Sequence, residues 1–321
     1  MFWPHLVFKA AEYSSDGVGW FKTFHNAAGP AVDFHTFHMY SLGNGPKLDP
    51  KELKGSYLSP QSLDRCGEGV SALRHATPAL AQGSLWAGET AAANEGGQTG
   101  ITDTYIDGFW YLDQLGQLAA LNVTVFLRQQ LLSSGGYPMV EVFDSDGGAP
   151  PKAPRPLPDY YIAALHKMLM GQRVLGVASS EPDVRVYAHC AAGSVGGGGG
   201  VTLAILNIAL NKTVVVTLPA ALTAASAREE FMLTAGTPID GAVMPLQSRS
   251  VLLNGKELAL VPGTGAGALP SLPLMSGKMV PQTPTMRGGG AMLIPASSYG
   301  FVRFAGADVA ACKSEDNTFE M

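Results

Sequence analysis

The sequence predicts two regions of different class: an α/β region built on a parallel sheet, then an all-β region. Three observations carry this. Helical and strand patterns alternate through the first half, as right-handed βαβ units require. Ionisable or polar residues stand at three successive strand ends: His38 and Tyr40, then Glu89, then Gln129. After Gly171, short strand-like runs follow one another with turn residues between them and almost no helical pattern.

In order, Gly17 to Asn26 reads as a helix carrying Val18, Phe21 and Phe24, ended by Gly29-Pro30. Val32 to Tyr40 reads as a strand dense in aromatics. His35 and His38 are an odd number of positions apart on it, so they face opposite ways and cannot chelate one metal. Ser41 to Gly55 is a loop in which Lys47, Lys51 and Lys54 alternate with Asp49 and Glu52, a solvated face. Ser59 to Ala76 reads as a helix with Pro60 near its start. The run Gly83 to Thr90 is a strand ending on Glu89, and a Gly-rich loop, Asn94 to Gln98, follows. Thr102 to Ala120 is helix-like, Asn122 to Arg128 a strand, Ser133 to Tyr137 a tight polar turn, and Asp144 to Pro156 a loop. Asp159 is expected to cap a helix that Gly171 closes.

In the second region strands are expected at 174–178, 184–189, 201–207, 213–218, 229–233, 250–253, 258–261, 291–294 and 300–304. This is the pattern of a β-sandwich. Gly196 to Gly200 reads as a hairpin loop, and Gly263 to Gly290 as a surface-wrapping segment. The expected boundaries are 1–171 for the α/β region, 172–313 for the sandwich and 314–321 for a polar tail.

Composition narrows the function classes. Of 321 residues, 46% are hydrophobic and 15% charged, which fits a folded chain with a sizeable core. The formal net charge is −5 with no basic cluster, which argues against nucleic acid as a partner. No apolar run reaches membrane-spanning length, and the first residues lack the pattern of a signal peptide. Peripheral association with a membrane or matrix stays compatible with this composition. No cysteine pair has zinc-ligand spacing, and no cofactor is expected. Cys190 and Cys312 each follow an apolar run. A bridge between them is a hypothesis that suits an oxidising compartment. Asn122-Val123-Thr124 and Asn211-Lys212-Thr213 are N-glycosylation sequons.

Glu89 is the candidate for chemistry, because catalytic groups of parallel α/β barrels sit at the carboxyl ends of strands. Its neighbours extend the pattern. Phe37-His38-Met39-Tyr40, Leu85 to Thr90, Phe109 to Gly116, Leu127-Arg128-Gln129, Gly136-Tyr137 and Pro156 to Tyr161 together resemble the heparanase-like β-glucuronidases of glycoside hydrolase family 79. Arg185 to Cys190, Asn211 to Thr213 and Ala310 to Cys312 extend the resemblance from about residue 20 to Lys313.

The resemblance implies a (β/α)8 TIM barrel, incomplete here with only its last three strands, followed by a C-terminal β-sandwich. It implies retaining hydrolysis of O-glycosidic bonds in β-glucuronide-containing glycans, with Glu89 as nucleophile on the seventh strand. Gln129 and Tyr137 fall at substrate-contacting positions, and Gly96 and Gly97 in a loop that holds the uronate. His38 and Tyr40 fall where the family keeps an aromatic-polar pair beside the nucleophile. It also implies the Cys190–Cys312 bridge and a secreted, lysosomal, vacuolar or cell-surface location. The family's acid/base glutamate follows an Asn on the fourth strand. No such pattern is found here, since Asn94-Glu95 lies in the loop after the nucleophile. The expectation is therefore a truncated chain without its acid/base. The rival expectation is a non-catalytic carbohydrate-binding or adhesion paralogue built on the sandwich.

Overall fold

Four parallel strands open the structure, a computed structural model that describes residues 9–10, 15–28, 31–80, 85–142, 154–193, 199–223, 227–260, 285–287 and 291–313. They lie side by side in chain order: β1 (Lys9–Ala10), β2 (His35–Met39), β3 (Leu85–Thr90) and β4 (Val125–Arg128). Helices connect them: α1 (Ser15–Ala28), a short α2 (Leu53–Tyr57), α3 (Pro60–Ala76) and α4 (Asp107–Ala120). The chain divides into two compact units. Residues 1–159 and 237–249 form the first, and residues 160–236 and 250–321 the second.

In the first unit, one face of the sheet is covered by helices. Phe37, Met39, Leu85 and Ala87 point to that face and share a core with Phe21, Cys66, Val70, Leu73 and Leu118. Pro60 stands in the first turn of α3, where its missing N–H costs nothing, and Leu63, Cys66, Val70 and Leu73 then recur at helical spacing on the buried side. Cys66 is thus a buried free thiol despite its polar sequence neighbours. Burial and the charge of Asp113 hold its pKa well above the ordinary value.

Several expected elements are corrected. The loop after β2 contains α2 and two 3-10 turns, Gly45–Lys47 and Pro50–Glu52. The helix expected from Thr102 begins only at Asp107, since Ile101 to Ile106 are turns whose amides bond elsewhere. The stretch around the expected turn at 133–137 contributes to a small sheet of β5 (Leu132–Ser133), β6 (Val140–Glu141) and β7 (Arg155–Pro156). Asp159 does not stand before a helix as its cap. Helix α5 (Pro158–Leu169) starts one residue earlier, and the Asp159 carboxylate binds Arg128 instead.

The second unit is a large antiparallel sheet faced by a small one. Its strands are β8 (Met170–Leu175), β9 (Val184–Ala191), β10 (Val201–Asn207), β11 (Val214–Thr217), β12 (Arg228–Ala235), β13 (Val251–Leu253), β14 (Lys256–Glu257), β15 (Thr285–Arg287), β16 (Ala291–Ile294) and β17 (Ser298–Phe304). The large sheet runs β14-β13-β12-β17-β10-β9-β8, with β15 also on β12, while β11 and β16 form a two-stranded sheet among the described residues. The strand expected at 258–261 is replaced by β14 two residues earlier. Every residue of β10 is buried, as suits a strand flanked on both edges. Leu203 and Ile205 of β10 share one apolar core with Val214, Met292 and Ile294 of the small sheet. A disulfide joins Cys190 at the end of β9 to Cys312, with a Cα–Cα distance of 5.4 Å across a sequence separation of 122. The segment 263–284, most of the glycine run, most of the 144–156 loop and the tail after Lys313 lie outside the described residues.

Candidate active site

Strict alternation would put Glu89 on the side of Leu85 and Ala87, buried in the core beneath the helices. A bulge prevents this. Along β2 and β3, Phe37 pairs with Ala87, and the next pair is His38 with Glu89, so Gly88 is the extra residue. One added residue turns the following side chain to the other face. Glu89 therefore emerges beside His38. Gly88 also lies flat on β2, where a Cβ would sit 2.9 Å from Cβ of Thr36.

Two side chains reach the Glu89 carboxylate. The Tyr40 phenol donates a short hydrogen bond to Oε1. His38 Nδ1 lies 3.6 Å from the same oxygen. The Glu89 side chain keeps 36% of its surface exposed, against 16% for His38, so the carboxylate is held yet open. Burial, followed by the hydrogen bond and charge of Glu89, raises the Tyr40 pKa far above its ordinary value. Tyr40 is thus a fixed proton donor to Glu89 at neutral pH. Tyr137 adds to that shift through its own hydrogen bond and charge, and Tyr40, Ala91 and Tyr137 form a small apolar cluster.

Beyond the strand ends, backbone bonds zip three loops together. Leu42 donates to Ala92 (2.8 Å), Asn94 to Gly43 (2.8 Å), Gly45 to Asn94 (3.1 Å) and Gln129 to Thr90 (2.8 Å). Thr90 pairs with Arg128, so Gln129 stands one residue past Thr90 and two past Glu89. Gly96 and Gly97 occupy the left-handed region, φ +83° and +71°. A Cβ on Gly97 would meet Thr102 Oγ1 at 2.4 Å and the Tyr137 ring at 2.7 Å. The Thr102 hydroxyl bonds the Gly136 carbonyl at 3.0 Å, which ties the glycine loop to the Tyr137 segment. His38 and Glu89 at the strand ends, and Tyr40, Gly96, Gly97, Gln129 and Tyr137 in the segments that follow the strands, all belong to the first unit.

Sequence reasoning missed the cluster's support. Arg128 is buried, 4% exposed, between Asp107 and Asp159, at 3.1 Å and 2.7 Å from Nη2. Its guanidinium lies 5.5–5.8 Å from the ring centroids of Trp110, Tyr111 and Tyr137. Burial opposes its charge, but the two aspartates outweigh it and hold its pKa above the ordinary value. Burial, then the charge of Asp159, pushes the Asp107 carboxyl well above the ordinary range, and burial also raises Asp159 against the pull of Arg128. The sequence signal for this cluster is a lone Arg closing an apolar strand.

A second missed element is the segment 237–249, which interrupts the second unit's sheet in sequence yet folds into the first. There Tyr105 N–H donates to the Ser248 carbonyl (2.6 Å), Ile106 N–H to that of Leu246 (3.1 Å), and Gln247 Nε2 to that of Gly100 (2.8 Å). Arg249 pairs with buried Asp103 at 2.6 Å.

Of the sequons, Asn211 is exposed, whereas Asn122 is half-buried at φ +57° after α4. Among the described residues, no three His, Cys, Asp or Glu side chains gather as a metal-binding set, and no helix is long and apolar enough to cross a membrane.

Comparison with known proteins adds a family context. Residues 4–116 match the model of the glycosyl hydrolase family 79 N-terminal domain, reaching further upstream than the motifs quoted above. The chain is 35% identical over 303 residues to heparanase-like protein 1 of Arabidopsis thaliana, covering 84% of this chain and 50% of that protein. It is 32% identical over 297 residues to heparanase of Gallus gallus, covering 91% and 50%. It is 35% identical over 260 residues to baicalin-beta-D-glucuronidase of Scutellaria baicalensis, covering 79% and 43%. The chain thus spans about half the length of the curated relatives it matches. In fold it is similar to the 4-O-alpha-L-rhamnosyl-beta-D-glucuronidase of Fusarium oxysporum 12S, with TM-score 0.58 at 14% identity, covering 93% of this chain and 58% of that one. It is also similar to AbfB, a family 51 alpha-L-arabinofuranosidase of Bifidobacterium longum, with TM-score 0.59 at 13% identity, covering 94% and 59%.

Proposed function

We propose, from the premise that the chain belongs to glycosyl hydrolase family 79, that Glu89 is the nucleophile of a retaining glycosidase acting on β-glucuronide-containing glycans. The observation that carries this reading is the bulge at Gly88. It takes a carboxylate out of a core and sets it, half-open, under a phenol donor at the carboxyl end of a parallel sheet.

Retention needs a carboxylate that adds to the anomeric carbon and a second carboxyl, about 5–5.5 Å away, that protonates the leaving oxygen. Tyr40 fixes Oε1, and Oε2 is the attacking atom. Among the described residues, the side chains in contact with the Glu89 carboxylate are Tyr40 and His38, and neither is a carboxyl. The acid is therefore assigned to a group outside this set. Gln129, Tyr137 and the Gly96–Gly97 backbone are the proposed substrate contacts. In the same reading, β2 to β4 are the last three strands of a (β/α)8 barrel and the second unit is a β-sandwich. The shared core of its two sheets supports this. The Cys190–Cys312 bridge supports a secreted, lysosomal, vacuolar or cell-surface location.

The test bypasses the acid. A 2-deoxy-2-fluoro-β-D-glucuronosyl fluoride carries a leaving group that departs without protonation. Glu89 displaces fluoride, and the electron-withdrawing 2-fluorine slows hydrolysis of the resulting ester. Intact mass should gain one 2-deoxy-2-fluoroglucuronosyl group, peptide mapping should place it on Glu89, and Glu89→Gln should remain unlabelled. A wild-type chain that binds β-glucuronides yet is never labelled would instead support the carbohydrate-binding rival.

A further inference from the structure

We propose that Arg128 is a positioning residue that sets the substrate-contact loop 129–137, an inference that rests on the β-glucuronidase reading above. The geometry is a closed clamp. Each of the five guanidinium N–H groups has an acceptor. Nε and Nη2 take Asp159 at 3.3 Å and 2.7 Å, and Nη2 also takes Asp107 at 3.1 Å. Nη1 donates to two backbone carbonyls, those of Gln129 and Tyr137, the latter at 3.2 Å. Those two carbonyls belong to the two ends of the loop, at the two residues proposed to touch the sugar.

A single rigid fork thus closes nine residues of chain into a ring, and two buried carboxylates hold the fork from behind. Trp110 and Tyr111 flank it, so it has no room to swing. The third ring at the guanidinium is Tyr137 itself, at 5.8 Å. Tyr137 in turn packs on Tyr40, which holds Glu89. The clamp therefore acts on the substrate through Gln129 and Tyr137, without touching the substrate. Lysine, with three donors and no fork, cannot reproduce this set of bonds.

The experiment reads labelling by the same 2-deoxy-2-fluoro-β-D-glucuronosyl fluoride, resolved into the inactivation constant KI and the limiting rate kinact. Wild type is compared with Arg128→Lys and Asp159→Asn. Asp159→Asn leaves the guanidinium in place but removes its main carboxylate. Displacement of the loop should raise KI by about tenfold in both variants, while kinact changes by less than about threefold. A residue that only stabilises the fold would lower the melting temperature and leave KI of the folded protein unchanged, which would overturn the proposal. Failure of both variants to fold would mark Arg128 as purely structural and overturn it equally. If wild type itself takes no label, the glycosidase reading fails first. Labelled wild type with unmoved KI in a folded variant sinks the positioning role alone.

Discussion

Gly45 and Gly97 touch backbone to backbone: a Cβ at position 45 would lie 2.4 Å from the Gly97 carbonyl oxygen. The obstacle is main chain, which has no rotamer to yield. Gly45→Ala should therefore push the Gly96–Gly97 loop off the β2 side and cost about 1–3 kcal/mol, the usual range for overpacking. Urea unfolding gives the stability loss. Titration with p-nitrophenyl β-D-glucuronide should show weaker binding as well. Unaltered binding in a destabilised variant would separate this loop from the sugar site.

Tyr40→Phe keeps the ring in its apolar cluster and deletes the bond to Glu89. Losing one preorganised donor is expected to slow Glu89 labelling by on the order of 10²-fold. Stability should move by only about 1 kcal/mol. Since burial and Glu89 hold the Tyr40 pKa far up, its donor function should persist in the wild type past the pH where free phenols ionise. Labelling rates measured from pH 8 to 10.5 would reveal any Tyr40-dependent loss.

Arg249→Ala leaves the Asp103 carboxyl buried with its cationic partner gone. Asp103 still accepts from Gly100 N–H at 2.6 Å, but burial already raises its pKa and only Arg249 and such bonds pull it back. The variant should lose roughly 1–3 kcal/mol at pH 7, discounted because Arg249 is partly exposed. A raised folded pKa means the folded state binds the proton more tightly, so the deficit should shrink as pH falls toward 4. Chemical denaturation at pH 7 and pH 4.5 checks the sign. A deficit that grows on acidification would contradict it.

In the second unit, burial, helped by His189, lowers the His166 pKa to about 4. The unfolded chain binds this proton near pH 6.5 and the folded chain does not. Stability from this group is thus complete above about 6.5 and drains away as pH falls toward 4. His166→Gln should flatten this part of the profile, an effect of roughly 3 kcal/mol between pH 7 and 4. Calorimetric unfolding across that range tests it.

Much of this molecule can be read from the chain. The alternation through Arg128 announces a parallel sheet, and the runs after Gly171 announce antiparallel strands, because local period and turn residues set both. Glu89 was legible as a strand-end carboxylate. Its orientation was not, because a bulge lies in the pairing between strands and leaves only a glycine, Gly88, as its trace. The Arg128 cluster was hidden for a related reason. Asp107, Arg128 and Asp159 lie about 20–30 residues apart, and only the packed strand and helix ends bring them together. Segment 237–249 reads as ordinary turn-rich connection, since nothing local shows that Tyr105 and Ile106 await its carbonyls.

That last segment has a consequence during synthesis. The Glu89 unit is discontinuous, so a ribosome that has made residue 159 has not yet supplied the acceptors for Tyr105 and Ile106 or the cation for Asp103. Roughly ninety more residues must emerge first, a wait on the order of 5–20 s at ordinary elongation rates. A nascent chain stalled in that interval should expose the loop behind Glu89 to proteases, and the same loop should close once Arg249 clears the exit tunnel.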